Sequence, residues 1–76
     1  MNDKRRKQIA ELKAKLEEIK TDLEMLQNDE QEAFDNLPEG LQEAERGQAM
    51  QNASDQLDSA AQAIDDVVGY LDEAET

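Results

Sequence analysis

Apolar side chains recur in alternating steps of three and four along most of this chain. In the first half they fall at Ile9, Leu12, Leu16, Ile19, Leu23 and Leu26. These are the a and d positions of a heptad, the stripe of a helix that packs along another helix. Glu30 takes the next a position and interrupts the stripe, and Ala33 and Leu37 resume it. The intervening residues are mostly Glu, Lys, Gln and Ala, all good helix formers. Asn2 or Asp3 supplies an N-cap oxygen. The pattern predicts a first helix over about residues 4–35, roughly 45 Å at 1.5 Å per residue.

The stretch FDNLPEGLQEAERG, Phe34 to Gly47, holds the only proline and two of the three glycines. Asn36 suits a left-handed helix end, and Leu37, preceding proline, is biased away from helix. Pro38-Glu39-Gly40 fits a tight turn, or one helical turn with proline at its first position. Leu37, Leu41 and Phe34 are placed to cover the closed end of a hairpin. The turn is expected over about residues 36–43 and the second helix over about 44–74, with Gly47 near its start.

From Met50 the heptad returns at Met50, Ala53, Leu57, Ala60, Ile64, Val67, Leu71 and Ala74. Leu57-Asp58, Ile64-Asp65 and Leu71-Asp72 recur every seven residues, which puts the three aspartates at b. Folding the chain so that paired numbers add to 83 sets Leu26 on Leu57, Leu23 on Ala60 and Ile19 on Ile64. The same fold sets Leu16 on Val67, Leu12 on Leu71 and Ile9 on Ala74. Each layer then joins an a to a d residue. The expected fold is all-α: one domain, residues 1–76, forming an antiparallel two-helix hairpin. Ala61 and Val68 at e, with Ala63 and Tyr70 at g, widen the apolar face of the second helix beyond its seam. A two-helix unit barely offsets its chain entropy, so self-association through Ala61, Ala63, Val68 and Tyr70 into a dimeric four-helix bundle is expected.

Charge sharpens this picture. Residues 1 to 20 hold seven basic groups against four acidic ones, a balance of +3, while residues 21 to 76 hold Arg46 against sixteen acids, a balance of -15. Basic residues open the first helix and acidic ones close the second, both against the macrodipole. A hairpin brings those ends together, so that Lys4 to Lys7 neutralise Asp72, Glu73 and Glu75. The opening MNDKRRK is followed by an amphipathic segment without an apolar core, unlike a signal peptide. No apolar run is long enough to span a bilayer. A soluble, cytoplasmic protein that avoids nucleic acid and membranes is expected.

Candidate chemistry is sparse. The chain has no histidine and no cysteine, which excludes the usual zinc sites, disulfides and activated thiols. It has no glycine-rich phosphate loop, no calcium loop and only two serines. No catalytic residue, metal ligand or cofactor site is expected, and the reading is of a protein that is not an enzyme. The basic cluster Lys4 to Lys7 lacks interleaved aromatics, so helix-end neutralisation is favoured over nucleic-acid contact. Asp58, Asp65 and Asp72 at b, flanked by Asp66 and Glu73 at c, form an acidic stripe on the second helix. Such a row imitates a phosphate backbone and suits a basic groove; it is equally what the solvated face of a bundle looks like. Phe34 and Tyr70 sit beside the seam and suit either a partner surface or an internal cover.

The turn string EQEAFDNLPEGLQEAERGQAM, Glu30 to Met50, and the heptads with Asp at b that come after it resemble small acidic proteins encoded by phages and prophages of Gram-positive bacteria. The resemblance covers about two-thirds of the chain, from the turn onward. Members tend to carry serine where Ala44 stands here, a natural N-cap. The resemblance implies a setting in the host cell cytoplasm and no particular mechanism. The expected function is a non-catalytic interaction module acting through helix surfaces, by self-assembly or by binding a host or phage protein with a basic surface. The alternative is an acidic DNA mimic that inhibits a nucleic-acid-binding or defence protein of the host.

Overall fold

The computed structural model describes residues 2 to 76. Among these the chain is all-helical: α1 Asp3–Asp35, α2 Glu39–Gln42 and α3 Glu45–Glu75. α3 folds back antiparallel along α1, giving a rod with extents of 58 × 15 × 11 Å. Among the described residues no helix is long and apolar enough to cross a membrane.

Local chemistry explains where each helix starts and stops. The Asn2 side chain accepts a hydrogen bond from the Arg5 N–H at 2.9 Å, capping α1. α1 ends at Asn36 with ordinary right-handed geometry (φ -83°, ψ -7°), not the left-handed closure that asparagine suggests. The left-handed residue is unnecessary because a side chain from further along closes the helix instead. Gln42 Nε2 donates to the carbonyls of Phe34 and Leu37, both at 3.2 Å. The Phe34 carbonyl, in the last turn of α1, also accepts from the Leu37 N–H at 3.0 Å, and the Leu37 carbonyl lies just beyond the helix. Pro38 caps the single turn α2, whose Leu41 N–H returns to the Pro38 carbonyl at 2.8 Å. Ala44 then occupies the N-cap of α3 in extended conformation and offers no side-chain acceptor.

The helices meet on a different face from the one expected. On α3 the most covered residues are Gly47, Ser54 and Ala61, seven apart and all at e, with Met50, Leu57, Ile64 and Leu71 at a half-buried beside them. On α1 the covered set is Ile9, Leu16, Leu23 and Glu30 at a, with Lys13, Lys20, Gln27 and Phe34 at e. The two covered sets match a residues of one helix to e residues of the other, an arrangement in which paired numbers add to 84 instead of 83. By that sum Leu23 falls opposite Ala61, Leu16 opposite Val68 and Phe34 opposite Met50. The a-to-d layers are therefore corrected: each helix is turned by about 50° from that arrangement, at 100° per residue. Leu12, Ile19 and Leu26, expected in the seam, stand 50%, 49% and 54% exposed, and Val67 42%.

Small residues at e make this face the closer one. A Cβ on Gly47 would run into the Gln42 carbonyl group, so the return of the chain into α3 requires glycine. Ser54 is 3% and Ala61 5% exposed, and neither side chain holds the backbones apart.

Three substitutions test this packing by thermal unfolding. Gly69 has open space around its Cα, so Gly69→Ala raises stability by about 0.5–1 kcal/mol, the ordinary helix-propensity gain. Gly47→Ala, the same change on paper, lowers stability by about 1–3 kcal/mol because the new methyl meets backbone. Ala44→Ser supplies the missing cap and raises stability by about 1 kcal/mol.

Candidate functional surfaces

The side chains that carry chemistry lie on two long faces of the rod, one polar and one apolar. The polar face forms where α1 e residues approach α3 b residues. Lys13 Nζ bonds Asp72, and also Glu75 at 2.7 Å; Lys20 Nζ bonds Asp65 at 2.7 Å. The two lysine stems lie over the seam, level with Leu71 and Ile64, while their ammonium groups reach the solvent edge. Their side chains are 24% and 26% exposed, the pattern of a long cation that covers apolar surface and keeps its head wet. One heptad nearer the closed end, Gln27 takes the equivalent place, and Asp58 accepts instead from Gln62 of its own helix at 2.8 Å. Nearer still, Ser54 Oγ contacts Gln31 Oε1 at 3.4 Å.

The acidic stripe is thus divided. Asp65 and Asp72 are engaged by lysines of α1 at the seam edge and do not stand on the face remote from it. Asp66 and Glu73 at c remain exposed. The open end of the rod is joined by Lys13 and by Arg6, whose Nε donates to the Glu75 carbonyl at 3.0 Å. That hydrogen bond places a cation on the C-terminus of α3, where it favours the macrodipole. Of the cluster Lys4 to Lys7, Arg6 is the member that bonds to α3; it also pairs with Asp3 at 3.4 Å.

The four residues expected to drive self-association also separate. Ala61 is buried in the hairpin's own seam, so it has no outer surface to offer; its small size serves α1. Val68, also at e, is half-buried, level with Leu16, while Ala63 and Tyr70 are exposed, Tyr70 at 75%. The d line is the surface that heptad composition hides. Leu12, Ile19 and Leu26 of α1 and Val67 of α3, with Ala60 and Ala74, fall on one side of the seam. In an antiparallel pair meeting through a and e, the d positions of both helices lie on the same side and the b positions on the other. The apolar line and the lysine–aspartate pairs are therefore back to back. Gln42, which closes α1, is likewise not legible in sequence, since nothing local marks a glutamine as a cap for a preceding helix.

Among the described residues no internal cavity forms and no group of acidic side chains is placed to hold a metal ion. The rod thus offers surfaces rather than an enclosed site.

The lysine pairs have a definite pH signature. Hydrogen bonds to Asp72 and Glu75 raise the Lys13 pKa above its ordinary 10.5, and the bond to Asp65 raises that of Lys20. A pKa higher in the folded state means that the stabilisation is complete below about pH 10 and lost as pH rises through the folded value. Circular-dichroism melts are expected to show Tm falling above about pH 10.5, less steeply in Lys13→Ala and Lys20→Ala. Both variants melt lower than wild type at about pH 7, and the difference shrinks in about 1 M salt, where the Debye length is about 3 Å. Gln27→Lys extends the series to Asp58 and raises stability by about 0.2–1 kcal/mol.

Comparison with family models, with curated proteins and with solved structures finds no match.

Proposed function

We propose that this chain is a non-catalytic protein-interaction module that works through its helix surfaces, with a second copy of itself as the first partner. The two hairpins form a four-helix bundle. One observation carries the reading: Leu12, Ile19 and Leu26, three large aliphatic side chains spaced seven apart, stand half exposed on one face beside Val67. Burying a side chain of this kind contributes about 1.5–3 kcal/mol, and a monomeric hairpin leaves most of that unused. A chain of 76 residues has little stability to forgo.

The resemblance of the turn string supports a phage- or prophage-encoded module of Gram-positive bacteria, acting in the host cytoplasm. The bundle's outer faces, rich in carboxylates, then suit a host or phage protein with a basic surface. Mimicry of DNA is the weaker reading. Two of the five stripe carboxylates, Asp65 and Asp72, already hold lysines of the same chain, so the row presents less charge than its sequence suggests.

Sedimentation equilibrium at micromolar concentration tests the proposal. Wild type is expected at twice the 8.6 kDa chain mass, and Leu12→Asp with Leu26→Asp at one chain mass. Asp58→Asn, Asp65→Asn and Asp72→Asn combined leave the dimer intact. A wild-type mass of a single chain overturns the self-association reading.

A further inference from the structure

The proposed self-association can be taken to a specific geometry, which rests on that reading. The apolar line is symmetric about its own middle. Leu12 and Leu26 lie seven residues either side of Ile19 on α1, and Ala74 and Ala60 lie seven either side of Val67 on α3. Ile19 and Val67 are nearly level across the hairpin, within about 3 Å along the rod at 1.5 Å per residue. A two-fold axis through that level, perpendicular to the rod, maps each line onto itself with the direction reversed. Ile19 then meets Ile19 of the second copy, Leu12 meets Leu26, Val67 meets Val67 and Ala60 meets Ala74.

The flanking residues obey the same operation. Lys15 at g comes beside Asp22 of the second copy, and Tyr70, the most exposed large hydrophobic side chain among the described residues at 75%, comes over Ala63. A large ring set against a small residue is how facing helices interdigitate. Arg5, at the d position before Leu12, ends over Ala33 of the second copy, near Asp29 and Glu32. No like charges face each other in this set.

Charge along the rod selects this axis over the other two-fold, which runs parallel to the helices. The closed end, residues 28 to 48, carries seven carboxylates against Arg46, while the open end sets Lys4 to Lys7 against Asp3, Asp72, Glu73 and Glu75 and is near neutral. The parallel axis would stack two strongly acidic turns at one end. The perpendicular axis lays each acidic turn beside the near-neutral open end of the other copy, with Lys4 to Lys7 on the facing α1, which relieves that repulsion and sets register.

From these observations we infer that the chain forms an antiparallel, turn-to-tail dimer of hairpins, its two-fold axis at the level of Ile19 and Val67 and its apolar d lines buried against each other.

The absence of cysteine makes the test direct. A spin label on Lys4→Cys, on the outer side of α1, reads the distance between copies by pulsed electron resonance. The antiparallel dimer predicts a separation of about 45–50 Å, thirty residue rises along the rod. The turn-to-turn dimer predicts no more than about 30 Å, two packed helices apart. In a second variant, Ile19→Cys is expected to form a disulfide dimer under mild oxidation. An equal mixture of Leu12→Cys and Leu26→Cys, refolded together, is expected to cross-link into mixed pairs. A wild-type dimer with a short Lys4→Cys distance overturns this geometry and leaves the self-association reading standing. A wild type of single-chain mass overturns both.

Discussion

The packing of α1 over Ser54 and Ala61 of α3, with Gly47 set against the single turn α2 on the same line, is the constraint on which the rest of this structure depends. These residues recur at every seventh position on α3, and two of the three are at most 5% exposed. A helix with small side chains on one line lets its neighbour settle there, where dispersion contacts are densest. Once α1 has settled against a and e of α3, everything else on the rod has its place. The d residues are turned out, the b aspartates are brought to the seam edge, and the chain must re-enter α3 at a glycine tight against Gln42.

The same rotation gives the charges their partners. Had the helices met through a and d, Lys20 would have flanked Ala61 and Val68, and Lys13 Val68 and Glu75, with Asp65 and Asp72 turned away from the seam. Meeting through a and e, they lie over the seam with Asp72, Glu75 and Asp65 in reach. Two weak preferences, small residues at e on one helix and lysines at e on the other, thus point to one packing. Each exposed pair contributes little alone. Their effect is to favour one rotation of two helices that could otherwise meet through more than one apolar face. Agreement between independent local signals is what gives a short sequence a single structure.

The function proposed for this scaffold resides on its outside. Two helices side by side have no room for an enclosed pocket, and the apolar side chains that the seam does not use remain as a line on one face. The proposed self-association covers that line and couples folding to concentration, because burial between copies stabilises the folded chain by mass action. The acidic faces remain outward in the bundle, where their charge keeps bundles apart from one another. The proposed assembly is a highly charged rod that leaves its helix surfaces and two turns for contact with other proteins.

The sequence by itself determined the helices. Heptad spacing, helix-forming residues between the apolar positions and a proline-glycine segment at the centre are local signals, and local hydrogen bonding responds to them directly. The cap at Asn2 and the single turn after Pro38 belong to the same class. Only the tertiary structure decided which stripe each helix buries. A heptad repeat with apolar a, d and, on α3, e leaves two faces of similar hydrophobicity about 50° apart. Choosing between them depends on contacts between residues roughly forty-five to sixty positions apart, such as Lys13 with Asp72 and Lys20 with Asp65. For that reason Ala61 reads as outer surface in the sequence and lies in the hairpin's own seam, while Asp65 and Asp72 of the acidic stripe stay exposed but pair with lysines at the seam edge. Leu12, Ile19 and Leu26 read as core and form its exposed apolar line. Periodicity identifies an apolar stripe; the shape and charge of the opposing helix decide whether that stripe faces inward.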